Sequence, residues 1–114
     1  AHGRNRLGTI CKGIAGAGGE AVRARALLEE SLSLYRALDD RWREAVVLLY
    51  LGHVDWINAK LQDAGRLYEE SRGLFRALSD QRGITVCLYF LQPAYDWQGR
   101  SEEAERVVEE RMML

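Results

Sequence analysis

Several things are scarce in this sequence, and each shortage closes off a class of protein. There is one proline in 114 residues, set among abundant alanine, leucine, glutamate and arginine, so the chain leans strongly towards helix. Neither charge dominates. Sixteen basic and 17 acidic residues leave a formal net charge of −1, with the signs interspersed. A nucleic-acid binder gathers a basic surplus on one face, so direct binding to DNA or RNA is not expected. The longest apolar run, Ala45 to Gly52, is too short to cross a bilayer, and neither a signal peptide nor a membrane partner is expected. Cys11 and Cys87 are the only cysteines, far apart and in apolar company. They support neither a disulfide framework nor a zinc site, and read as buried, reduced thiols of a cytoplasmic protein.

What is present is ordinary for a folded chain: 47% hydrophobic and 29% charged residues, enough for one domain with a modest core. The chain opens AHGRN without an initiator methionine and closes on MML, and is read as a piece of a longer protein.

The strongest internal signal is duplication. Residues 24–40, ARALLEESLSLYRALDD, and residues 64–80, AGRLYEESRGLFRALSD, are identical at ten of seventeen positions. The forty-residue offset continues, placing Leu51 on Leu91, Ala64 on Ala104 and Glu69-Glu70 on Glu109-Glu110. Backwards, Ala64 falls on Ala24, and the turn position Ala59 falls on Gly19, with Gly99 as its third member. Three units over about 1–39, 40–79 and 80–114 follow, each broken in the middle and at its end.

The second half of each unit carries one apolar stripe. Leu61, Ala64, Leu67, Tyr68, Ser71, Leu74, Phe75 and Leu78 recur at spacings of three and four, with Ala24, Leu27, Leu28, Ser31, Leu34, Tyr35 and Leu38 one unit earlier. Glu29, Glu30, Arg36, Glu69, Glu70 and Arg76 occupy the opposite, solvated face. The first half differs. AVVLLYLGHVDWI (45–57) and ITVCLYFLQPAYDW (84–97) are apolar almost all round, so these helices need cover on more than one side. Two layers are expected, with the first helices inside and the second helices outside.

Asp40 and Asp80 are predicted N-caps, and Ser101 a third, followed by Glu102 and Glu103 in a favourable place for the helix dipole. The spacing predicts six helices, near 5–17, 20–38, 41–58, 61–78, 81–97 and 101–112. The protein is expected to be all-α.

Nothing in the chain assembles a catalytic or metal site. CKGIAGAGGEA (11–21) has the Gly13–Gly18 spacing of a phosphate loop, but Gly19 and Glu20 stand where lysine and serine or threonine are needed. His53 has no second histidine, cysteine or serine to complete a constellation, and Asp55 points to another side of the helix. It reads as a groove-lining or packed histidine. No enzyme activity and no cofactor are expected. Pro93, inside the fifth helix, removes one backbone hydrogen bond to Tyr89 and predicts a kink. That kink is either a tolerated irregularity or a device aiming Tyr95 and Trp97 at a ligand. Trp42 is expected at a unit junction, and Trp56 and Trp97 lie near the ends of successive first helices.

This arrangement resembles a tetratricopeptide repeat array, in a variant with helices longer than the common form of about thirty-four residues. The family's Leu-Gly pair falls on Leu51-Gly52, its small residue of the second helix on Ala64 and the aromatic after it on Tyr68. In the third unit Tyr95, Gly99 and Ala104 match. The first unit keeps Gly19, Ala24 and Leu28 but has Cys11-Lys12 in place of Leu-Gly. ALLEESLSLYRALDD is similar to long-helix repeats in large bacterial regulators, including LuxR-type activators of the maltose-regulator kind and NTPase-linked signalling proteins.

The resemblance implies a single domain over 1–114, a right-handed α-solenoid of three stacked helix-turn-helix repeats. Its concave groove would present Val46, Leu49, His53 and Trp56 from unit two, and Val86, Tyr89, Pro93, Asp96 and Trp97 from unit three. Unit one would add a shallow floor of Arg6, Thr9, Gly13, Gly16 and Ala17. The family's clamp for a C-terminal carboxylate is not apparent, so an apolar helix or extended segment of a protein partner is the expected occupant. Trp56, Tyr89 and Trp97 would anchor it, with His53 and Asp96 orienting. Two readings stay open: these aromatics bind, or they fill space between long helices. The alternative function is self-association through an apolar end made of Val107, Val108, Met112, Met113 and Leu114.

Overall fold

A computed structural model of the protein describes residues 18–114. Five helices account for most of them: α1 (Gly18–Ala37), α2 (Arg41–Ile57), α3 (Leu61–Ala77), α4 (Gln81–Trp97) and α5 (Ser101–Met113). No strand occurs among the described residues, and the fold is all-α. The helix expected over 5–17 lies outside the described residues, as do Arg6, Thr9, Cys11, Gly13, Gly16 and Ala17.

Helices α2 to α5 start at 41, 61, 81 and 101, a step of twenty residues, half the period of the sequence repeat. The same turn recurs at every junction. Asp39, Ala59, Ser79 and Gly99 each take a positive φ, of 54°, 61°, 55° and 74°. The amide after each reaches back across the turn: Asp40 to the carbonyl of Tyr35, Lys60 to Asp55, Asp80 to Phe75 and Arg100 to Tyr95, at 2.8–2.9 Å. This is a Schellman ending, which satisfies carbonyls left free by the last helical turn. Only Gly99 adopts the left-handed conformation without a Cβ penalty.

The capping alternates where the turns do not. Oδ1 of Asp40 accepts from the Arg43 amide and Oδ1 of Asp80 from the Gly83 amide, both at 3.1 Å, as predicted. Lys60 and Arg100 hold the cap positions of α3 and α5 without a side-chain bond. Ser101 is therefore the first residue of α5 and not its cap. The Gly99 turn fixes where the helix can begin, and the serine falls one place late. Glu102 and Glu103 do occupy the first turn.

Each helix packs on its sequence neighbours. One buried cluster joins α2 to α5 through Ala45, Ala64, Tyr68, Phe75, Leu88, Leu91 and Val107 among others, and a second joins α1 to α2 through Ala24, Leu28, Val47, Leu51 and Val54. Helix α2 thus feeds both clusters, which is why it is apolar nearly all round. Two close approaches depend on glycine. A Cβ on Gly52 would stand 2.5 Å from the Tyr68 ring, and one on Gly83 would run into the ring of Phe75.

Contacts also skip a helix. Arg36 on α1 pairs with Glu70 on α3 at 3.2 Å, and forty residues later Arg76 on α3 pairs with Glu110 on α5 at 2.7 Å. The charged face expected to be merely solvated therefore links every second helix. Trp42 lies at a junction as expected: its indole donates to Asp80 at the start of α4 (2.9 Å) and its ring meets Phe75 edge-on.

Candidate functional site

The positions proposed for partner binding lie on α2 and α4, forty residues apart in pairs: Val46 with Val86, Leu49 with Tyr89, His53 with Pro93, and Trp56 with Asp96. In three of these pairs the α2 member is half-buried and the α4 member exposed, while His53 and Pro93 are both half-buried. On α2, Val46, Leu49 and Trp56 are half-buried against the core cluster that α4 completes. On α4, Val86 is 40% exposed, Tyr89 62% and Trp97 74%, an apolar stripe open to solvent. Pro93 is half-buried within it and leaves α4 an unbroken helix from Gln81 to Trp97.

His53 joins the two helices. Its ring lies 4.4 Å from that of Phe90 on α4, 5.4 Å from Tyr68 on α3 and 6.0 Å from Tyr50 on its own helix, all edge to face. His53 Nδ1 and the Tyr68 hydroxyl share a hydrogen bond of 2.7 Å. Burial lowers the imidazole pKa and raises that of the phenol, so both groups are neutral at pH 7. The histidine is packed in an aromatic box, a positioning element at the floor of the α2–α4 face. Phe90 and Tyr68, the residues that hold it, were not among the expected site residues. Tyr68 was legible only as core, and Phe90 falls between the two stripes of its helix.

Asp96, expected beside Trp97 as an orienting group, lines a different surface. It belongs with Gln92, Ala104, Glu105, Val108 and Glu109 to a cleft between α4 and α5. The apolar end differs from expectation as well. Met112, Met113 and Leu114 are exposed, but Val107 is 3% exposed and belongs to the core, and Val108 is half-buried. Val107 falls three residues after buried Ala104, on the side of α5 that faces the core cluster, so it cannot serve as a free contact residue.

The buried polar groups have structural partners. Ser71 donates to the Ala45 carbonyl at 2.7 Å, and the Cys87 thiol donates to Ser71 at 3.4 Å. Burial pushes that thiol up to about 11, the wrong direction for a nucleophile. Asp55, 3% exposed, accepts from Arg25 on α1. Its counterpart Tyr95, pushed up to about 12 by burial and by Glu69, donates to Glu69 on α3 at 3.0 Å. One repeat position thus anchors each first helix to the preceding second helix with two different chemistries. The signal was available in the sequence: a carboxylate in an otherwise apolar stripe demands a cation.

No group of three or more histidine, cysteine or acidic side chains among the described residues could hold a metal ion, and no described helix is long and apolar enough to cross a membrane. A scan against protein-family models finds no match to the sequence, and a search of the curated proteins finds none either.

Proposed function

We propose that the chain is a tetratricopeptide-like array, a right-handed solenoid of stacked helical hairpins, whose α2–α4 face binds an apolar segment of a protein partner. On this reading it is a cytoplasmic interaction module inside a larger bacterial signalling or transcriptional regulator, with no catalytic role. One observation carries the proposal: Val86, Tyr89 and Trp97 leave an apolar stripe open on α4, while Val46 and Leu49, which match the first two on α2, are partly covered. Large aromatics that present rigid area to solvent at helical spacing are the residues that dominate protein interfaces. The repeated ion pairs of Arg36 with Glu70 and Arg76 with Glu110, forty residues apart, favour a stacked array.

The experiment is a selection of helical peptides from a display library against the whole chain, followed by Tyr89→Ala and Trp97→Ala. Affinity is expected to fall at least about tenfold in each, about 1.4 kcal/mol, with helical content unchanged. Selected peptides that bind both variants as tightly as the parent would contradict the reading.

A further inference from the structure

Tyr89 stands midway between two opposite charges on α4. Arg82 lies seven residues before it and Asp96 seven residues after, and seven residues bring a helix back to within about 20° of the same face. The three therefore form one line about 21 Å long, with a cation at one end, a carboxylate at the other and an aromatic ring at the centre. All three are exposed. Val86 and Pro93 flank the line on the side of Trp97, and Thr85 and Gln92 flank it on the side of α5.

Forty residues earlier the same line reads Trp42, Leu49 and Trp56. There every member is packed, Trp42 on Phe75 and Asp80, and Leu49 and Trp56 against the core cluster. On α4 both tryptophans have given way to opposite charges, and neither charge is answered within the described residues. Arg82 and Asp96 make no ion pair and no side-chain hydrogen bond there. Asp80 feels the charge of Arg82, but its oxygens already accept from the Trp42 indole and the Gly83 amide. Asp96 shares its cleft with Glu105 and Glu109, which are also without an ion pair among the described residues, so this end of α4 gathers three carboxylates and no cation.

We infer that the exposed face of α4 takes the α4 of a second copy of this chain, antiparallel, about a two-fold axis at Tyr89. Turned end for end, Arg82 of each copy faces Asp96 of the other, and the two Tyr89 rings meet at the axis. The axis runs normal to the helices, so each flank meets itself reversed: Val86 faces Pro93, and Thr85 faces Gln92. Apolar groups then meet apolar groups, and polar groups meet polar ones. A parallel pairing would set cation on cation and acid on acid, which selects against it. The contact uses one surface twice, so it closes at a dimer. The inference rests on the reading of the α4 stripe as an interface and names its partner.

The test is light scattering on the full chain across a dilution series. The mass is expected to rise with concentration and level off at twice that of the monomer, and the dimer to weaken as salt is added. Arg82→Glu alone and Asp96→Arg alone each set like charges opposite one another, and each is expected to raise the dissociation constant at least about tenfold. Mixed in equal amounts, the two single variants are expected to pair with each other, since every charge then meets its opposite. Both positions are exposed, and circular dichroism checks that each variant is folded. A chain that stays monomeric at every concentration yet binds selected helical peptides overturns the inference and leaves the proposed function standing; a monomer that binds none removes both. A mass that grows beyond the dimer, a dimer indifferent to both reversals, or single variants that stay apart when mixed would also overturn the inference.

Discussion

Arg25 on α1 donates to Asp55 on α2, a carboxylate only 3% exposed, while the arginine itself keeps a third of its side chain in water. The pair is therefore asymmetric. Arg25→Ala strands a buried charge and is expected to cost about 3 kcal/mol, whereas Asp55→Leu frees an arginine that can turn to solvent and is expected to cost less. Urea unfolding of both variants checks the order; equal losses would show that Asp55 reaches water without its partner.

The three non-glycine turns store strain that one substitution releases. Ala59 holds a φ of 61°, the conformation that Gly99 adopts freely at the equivalent turn. Ala59→Gly is expected to stabilise the fold by about 1 kcal/mol, and Gly99→Ala to destabilise it by a similar amount. The urea midpoint is expected to move in opposite directions in the two variants with an unchanged slope.

His53 makes stability depend on pH. Burial lowers its pKa in the folded state below the unfolded value of about 6.5, so between those two values the unfolded chain binds more protons. Stability from this residue is complete above about pH 6.5 and is lost as pH falls through the unfolded value towards the folded one. Denaturation curves at pH 5 to 8 are expected to show this slope, and His53→Gln is expected to flatten it. A variant as pH-sensitive as the parent would place the effect elsewhere.

The helices were legible because periodicity and punctuation agree in this chain. The caps at Asp40 and Asp80 precede runs that can be nothing but helix, and each predicted boundary from 41 onward falls within a residue or so of the observed one. Ser101 was misplaced because cap preference is a local rule, while the Gly99 turn had already set the start of α5. Val107 was misread for another reason: whether a terminal valine is free depends on how closely α4 lies against α5. The pairing of Asp55 with Arg25, and the box that Tyr68 and Phe90 make around His53, bring together side chains fifteen to thirty-seven residues apart. Spacing within one helix cannot reveal which of its neighbours supplies the partner.

Amide hydrogen exchange on the chain bound to a selected helical peptide tests the central claim most directly. New protection is expected along α2 and α4, centred on Val86 to Trp97, with α1, α3 and α5 unchanged. Protection confined to α5 or to the outer face of α1 and α3 would contradict it.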